Sequence, residues 1–333
     1  MCSSSVDFNN AAENEVLSNF ETESNELLST QNSPRNSPTS QDDFWTDTEE
    51  DPVSIPFIGN PRITTNLQPS GLPIDCFNLF FDDSIFEIIY HETNKRATAI
   101  LQSQKTRSKR DKLWKNITVN EMKRFIGICC LSGTIVFPLL AKQWSKHPLY
   151  FHPVFGRTMS RNRFQMILKM LKFANHDDFD PTDKIFKIRP ILNKILQNIK
   201  TIFYPDKNLF IDEAMIGWQG LLSFRQYIAN KSHKCGIKLY ELTTYDGFIL
   251  NILVYTGRGT LQGNNTSLAE SVVKTLLTDY LGKGHTVYLD NFYTSVPLAE
   301  ALFKEKTGCV ETLRENRRGN PKRCGEKKIK KEK

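Results

Sequence analysis

Two aspartates stand at the ends of short apolar runs: Asp212 in NLFIDEAMIGW and Asp290 in HTVYLDNFYTS. A carboxylate at the tip of a buried strand is held at a sheet edge with little freedom. Two of them on neighbouring strands can share divalent cations such as Mg²⁺ or Mn²⁺, which prefer oxygen ligands. In phosphodiester chemistry one ion activates the attacking oxygen and the other stabilises the leaving oxygen. The bland alternative is that both are turn or capping residues. After Asp290 the acids are Glu300, Glu305, Glu311, Glu315, Glu326 and Glu332. None lies on a later helix that would supply a third carboxylate.

Cations gather near the first aspartate: Arg225, Lys231, Lys234 and Lys238, with His233 among them. They read as a phosphate-contacting face or as the solvated edge of a hairpin. Arg161 and Arg163 fall in the first turn of a predicted helix, where the dipole disfavours positive charge. That placement suits a phosphate, or charges left to solvent.

The elements that position these residues follow from periodicity. From about 72 to 205 the pattern is helical. Asp83 is placed to cap a helix holding Ile85, Phe86, Ile88 and Ile89. Thr118 and Glu121 have capping-box spacing. Ser160 precedes Phe164, Ile167, Leu168 and Leu171, and Pro190 suits the first turn of a helix carrying Ile191, Ile195, Ile199 and Phe203. After Pro205 the period shortens. NLFID reads as a strand, and GIKLYELTT and FILNILVYT flank the turn Tyr245-Asp246-Gly247. TSLAESVVKTLLTDYL reads as a helix and HTVYLD as a strand. Ser295 caps a short helix that Gly308 ends, and CVETLR is a fifth strand. The expected fold class is α+β: a helical region followed by an incomplete RNase H-like core in the order β-β-β-α-β-α-β. The expected divisions are a disordered acidic tail at 1–71, a helical dimerisation and DNA-binding region at 72–205, a partial core at 206–316 and a basic tail at 317–333.

Charge separates the ends of the chain. Residues 1–54 carry 12 acidic and one basic side chain, and the remainder carries 43 basic and 25 acidic, a net +18. An acidic tail before a basic body points to a polyanion partner, nucleic acid above all; the expected partner is double-stranded DNA, with no small-molecule substrate. The tail holds Ser33-Pro34 and Ser37-Pro38, candidate phosphorylation sites, and Phe44 and Trp45 set among acids. Arg317 to Lys333 contains nine basic residues and two acids, which suits a DNA contact or a nuclear-import patch, so the expected location is the nucleus. Seven cysteines without a C-x-x-C pair imply a reducing compartment, with neither a disulfide framework nor a zinc site. The uncharged run Phe125 to Ala141 is short for a membrane span and contains Gly127, Gly133 and Pro138; a buried helix ending near Gly133 is expected.

In combination these motifs resemble the piggyBac family of DDE transposases and the proteins domesticated from them, over about residues 72 to 325. MSRNRFQMILKMLKFAN resembles the stretch before the family's catalytic core, and FIDEAMIGWQG its first-aspartate motif. SFRQYIANKSHKCGIKLYEL resembles its Arg-Gln-Tyr-Ile and Lys-x-Gly-x-Lys signature, and YLDNFYTSVPLAEAL its second-aspartate motif. GCVETLRENRRGNPK resembles the strand and turn after it. Ser232 departs from the usual Pro, and Glu311 from a common Gly. The resemblance implies that Asp212 and Asp290 are the first two catalytic aspartates, holding Mg²⁺ or Mn²⁺. It implies a third aspartate and a Cys-rich zinc-binding domain further downstream, neither of which is expected within residues 1–333. A complete relative would cleave transposon ends and join the freed 3′-hydroxyl to DNA. For this chain the expectation is a DNA-binding protein, able to form a homodimer, with a weak metal site and no catalysis. The alternatives are a domesticated regulatory protein or an incomplete gene model of an active transposase.

Overall fold

The computed structural model describes residues 53–64, 71–103, 113–229, 231–257, 260–261 and 267–312. The Ser-Pro pairs, Phe44 and Trp45, and the basic run Arg317 to Lys333 lie outside them. The chain forms two compact units. One runs from Pro61 to Tyr204. The other is built from Pro205 onward together with the chain before Pro61. The protein is therefore a mixed α+β structure, helices in one unit and a mixed sheet with helices in the other.

The helical unit opens with a two-residue strand β1 (Arg62–Ile63), which pairs antiparallel with β2 (Phe203–Tyr204) at its end. Between them lie α1 (Pro73–Phe80), α2 (Asp83–Ser103), α3 (Val119–Thr134), α4 (Pro153–Thr158), α5 (Arg161–Met170) and α6 (Arg189–Ile202). Its core joins Ile85, Phe86 and Ile89 of α2 to Phe125 and Ile128 of α3 and Phe164 and Ile167 of α5. Phe125 and Phe164 stack at 4.8 Å between ring centroids.

Local chemistry sets the helix starts. Ser160 and Thr118 each accept the backbone N–H three residues on, from Arg163 and Glu121. Asp82, not Asp83, caps α2, because its carboxylate accepts the Ile85 N–H at 3.1 Å while Asp83 is already helical. On α5 the buried residues are Phe164, Ile167 and Met170; Leu168 faces outward and Leu171 already lies past the helix end. α3 ends at Thr134, and no helix among the described residues is long and apolar enough to cross a membrane.

The second unit is built on a six-stranded sheet: β3 (Asn208–Gly217), β4 (Gln226–Tyr227), β5 (Cys235–Thr243), β6 (Ile249–Val254), β7 (Thr286–Leu289) and β8 (Gly308–Glu311). β3, β5 and β6 pair antiparallel, and β4 also lies on β5. On its other side β3 pairs parallel with β7, and β7 parallel with β8. The crossover before β7 is α7 (Leu268–Leu277), whose Val272, Val273, Leu276 and Leu277 are buried. Asn251 of β6 ties the sheet to it through an Nδ2 bond to the Leu276 carbonyl. α8 (Val296–Lys304) is capped by Ser295 and packs against β8. Gly308 does not end α8; it opens β8, and the reversal falls at Lys306, which takes a φ of 48°.

Residues 53–60, placed in the tail by composition, pack against the turn before β7. The Ile58 N–H donates to the Lys283 carbonyl at 2.9 Å, and Phe57 meets the His285 ring edge-on at 4.9 Å. Gly284 has φ +78°, and a Cβ there would lie 2.1 Å from the Pro56 carbonyl oxygen. Gly284→Ala is therefore expected to lower the unit's stability by roughly 2 kcal/mol or more, the left-handed cost plus the clash. Denaturant unfolding measures it; an unchanged midpoint would show that residues 53–60 do not hold this turn.

His285 is fully buried, and its Nδ1 lies 3.1 and 3.2 Å from the Asp206 and Lys207 carbonyls. Both neighbours are acceptors, so Nδ1 carries the proton. Burial pulls its pKa below the ordinary value. The folded state then binds fewer protons than the unfolded chain. The contribution is complete above the unfolded pKa near ~6.5 and is lost as pH falls through it toward the lower folded value. Stability is expected to fall below about pH 6.5, less steeply in His285→Asn; parallel profiles for the two proteins would remove His285 as the cause.

Candidate metal and nucleic-acid site

β3 and β7 run parallel, and their last paired residues are Ile211 and Leu289. Asp212 and Asp290 occupy the next position on each strand. Adjacent strands lie about 4.8 Å apart, so the two residues are neighbours at one edge of the parallel pair. Alternation along the strands explains why. Leu209, Ile211, Val287 and Leu289 are buried on one face. Phe210 and Tyr288 stack at 4.7 Å on the other, and the aspartates follow them in that alternation. Asp290 lies just past the end of its strand, as its spacing suggested. Asp212 does not: β3 continues to Gly217, and Asp212 sits inside its ladder with β5, opposite Glu241.

Both carboxylates are exposed. Each has one oxygen accepting the N–H of the next residue, Glu213 onto Asp212 at 2.7 Å and Asn291 onto Asp290 at 2.6 Å. Those bonds orient the carboxylates and leave the second oxygen of each without a protein donor among the described residues. Burial, and then the charge of Asp212, raise the pKa of Glu241. Tyr293 is buried, and burial together with Glu213, Tyr240 and Asp212 raises its hydroxyl strongly, so it stays a neutral phenol beside the acids. Among the described residues no group of three or more His, Cys, Asp or Glu is arranged to hold a metal. The donor set fits a hard divalent cation only as a two-carboxylate site.

The cations divide into two groups. Arg161 and Lys234 are exposed. Arg225 is half-buried, its guanidinium 3.4 Å from the Gln219 carbonyl. Arg163 makes a two-pronged bond to Glu121 at 2.6 and 2.7 Å and lies over the Trp114 ring. Glu121 thereby offsets the unfavourable helix-end charge, and its side chain is used on Arg163 instead of completing a capping box. Lys231 donates to the Glu213 carbonyl at 2.8 Å. Lys238 pairs with the Glu213 carboxylate at 2.9 Å, over the rings of Tyr240 and Phe292. Arg163, Lys231 and Lys238 thus have internal partners that their sequence positions did not reveal. Glu213 was missed as a site residue. The signal was available: on a strand, the residue after Asp212 must face the opposite side of the sheet, where a carboxylate needs a cation.

The chain is similar to known transposase-related proteins. The family model for Transposase IS4 matches residues 72–333. Human PiggyBac transposable element-derived protein 3 is 28% identical over 250 residues, covering 73% of this chain and 40% of its own length. Human PiggyBac transposable element-derived protein 2 is 27% identical over 251 residues, covering 74% and 40%. The chain thus spans less than half the length of these relatives. A cryo-EM structure of the piggyBac transposase synaptic complex with hairpin DNA superposes with a TM-score of 0.70 at 27% identity, over 81% of this chain and 57% of that one. With the family model covering most of its length, the chain belongs to the IS4 transposase family, in its piggyBac group.

Proposed function

We propose that this chain is a DNA-binding protein of transposase descent, with an RNase H-like sheet, whose Asp212 and Asp290 take up Mg²⁺ or Mn²⁺ weakly and do not complete strand cleavage. The observation that carries the reading is the placement of the two aspartates at adjacent positions on parallel β3 and β7. The strand order β6-β5-β3-β7-β8, with the first two strands of that series antiparallel and the last two parallel, supports the RNase H-like assignment. A bound divalent ion would supply activation of an oxygen nucleophile and neutralisation of phosphate charge. The protein's own part is narrower. Asp212 and Asp290 offer ligand oxygens, the N–H groups of Glu213 and Asn291 hold those carboxylates in place, and the Glu213–Lys238 pair beneath fixes β3 against β5. Two-metal chemistry needs both ions fixed in line with the scissile phosphate, and the two carboxylates found together among the described residues leave one ion short of protein ligands.

The solved neighbour is named as a complex with hairpin DNA, which supports duplex DNA as the partner here. The basic body and the run Arg317 to Lys333 support the same partner and a nuclear location, and a homodimer is the expected assembly. Calorimetry is expected to give weak Mn²⁺ binding that Asp290→Asn weakens further. The 333-residue chain is expected to produce no nicks or hairpins on DNA carrying a family-type end, with either metal. Equal Mn²⁺ binding by the two proteins would remove the shared site. Cleavage by the wild-type chain that Asp212→Asn abolishes would require a third ligand.

A further inference from the structure

Between α3 and α5 the helical unit exposes more apolar surface than a solvated loop needs. Val136, Leu139, Leu149, Phe151 and Val154 are all exposed, Val136 and Leu149 to 81%. The same stretch holds a cleft of ≈ 210 Å³ lined by Trp144, Lys146, Phe151, His152, Pro153 and Arg157, among others. An engineered cavity of about 150 Å³ already accepts benzene, so an aromatic ring fits this volume. Trp144 is fixed in place by its indole N–H bond to the Met159 carbonyl at 2.7 Å. His152 leans edge-on against Phe155, and its Nδ1 is buried with no hydrogen-bond partner among the described residues. A buried polar atom without a partner is costly, and a ligand group reaching it would remove that cost.

Charge narrows the choice of ligand. From Met122 to His176 the chain contains nine Lys and Arg and no Asp or Glu. Several of the nine are answered by acids from outside the stretch, as Arg163 is by Glu121 and Lys123 by Asp83. Lys146 and Arg157, at the cleft, make no ion pair among the described residues. A fitting occupant carries an aromatic group flanked by several carboxylates. The chain contains such a segment. Residues 42–51 read DDFWTDTEED, with Phe44 and Trp45 adjacent, six acids and no base.

We propose that the segment 42–51 docks into this cleft of its own chain, with the Phe44–Trp45 pair among Trp144, Phe151 and Pro153 and the flanking acids on Lys146 and Arg157. Trp45 offers an indole N–H, a donor only, and an imidazole Nδ1 such as that of His152 can accept a hydrogen bond. Exposed apolar surface rimmed by charge is the usual form of such a docking site. The occupied cleft would no longer offer Lys146 and Arg157 to a polyanion, so the acidic tail competes with phosphate for this face.

A photoreactive benzoylphenylalanine at position 46 of the full chain tests this, leaving Phe44 and Trp45 intact. Irradiation is expected to join position 46 mainly to residues 144–157, as an intramolecular product mapped by mass spectrometry. Phe44→Ala/Trp45→Ala is expected to lower the yield roughly fivefold or more, since paired aromatic anchors carry most of such a contact. Lys146→Glu/Arg157→Glu, or raising salt from about 50 to 500 mM, is expected to lower it severalfold. The salt arm needs no variant and does not depend on the charge reversal folding. Crosslinks spread over the surface, or a yield indifferent to Phe44→Ala/Trp45→Ala, would overturn the assignment. So would a covalent dimer as the only product. Protection of 144–157 from hydrogen exchange by added duplex DNA, without any crosslink there, would assign the cleft to nucleic acid instead.

Discussion

Lys238→Met is expected to destabilise the sheet unit by about 3 kcal/mol, the lower end of the range for stranding one partner of a buried ion pair. The lower end is appropriate because the side chains keep 14% and 19% of their exposure. The variant leaves Glu213, opposite Tyr240, with a long contact to the Tyr293 hydroxyl, 3.5 Å away, as its carboxylate's remaining hydrogen bond among the described residues. Glu213→Gln should cost less, since the amide still offers an oxygen to Lys238 and the lysine can reach toward solvent. The double variant Glu213→Gln/Lys238→Met removes both charges and is expected to recover much of the loss, a strong departure from additivity. Denaturant unfolding of the four proteins closes the cycle. Additive losses would mean that the pair acts as two solvated charges, and that Lys238 is free to serve DNA.

The second large effect concerns salt. If the basic body binds duplex DNA as proposed, it releases condensed counterions, and for about six phosphate contacts the affinity is expected to fall roughly a thousandfold between 50 and 200 mM salt. The structure makes this specific to side chains. Arg161→Gln and Lys234→Gln, at exposed cations, are each expected to reduce the slope of log affinity against log salt by about one. Arg163→Gln should leave the slope nearly intact and instead lower stability, because Arg163 is held by Glu121 and Trp114. Affinity indifferent to salt would remove the electrostatic account. A slope reduced by Arg163→Gln and untouched by the other two would reverse the assignment of the cations.

What was legible in the sequence was what nearby residues decide. Ser160, Thr118 and Ser295 each sit three residues before the N–H they accept, so their helices start where spacing says. The Tyr245-Asp246-Gly247 turn is equally local: Gly247 takes φ +83° and Thr244 bonds across to Phe248. The adjacency of Asp212 and Asp290 followed from element order, since α7 is the crossover that returns the chain beside β3. Partners distant in sequence were not legible. Glu121 and Arg163 are separated by most of α3 and all of α4, and nothing in the spacing of Arg161 and Arg163 says which one a carboxylate will claim. Asp212 looked like a strand end because apolar alternation stops there, yet pairing with β5 carries the strand five residues further. Val53 to Asn60 read as tail because the stretch before about residue 70 is, as a whole, rich in Ser, Asn, Glu and Pro. Its affinity for the turn before β7 depends on the space Gly284 leaves and on the edge of His285.

That contact has a consequence for the order in which the protein is made. The ribosome delivers the segment around Phe57 early, then the entire helical unit, and only much later Gly284 and His285. The helical unit has a core of its own and can close while synthesis continues. The sheet unit cannot be finished until its last strands emerge, and its contacts to residues 56–58 close a loop, from Ile58 to Lys283, that spans the entire helical unit. Long loops form late, because their entropy is lost before their contacts form. The turn that leads into β7, and so toward Asp290, is therefore among the last parts of the molecule to settle.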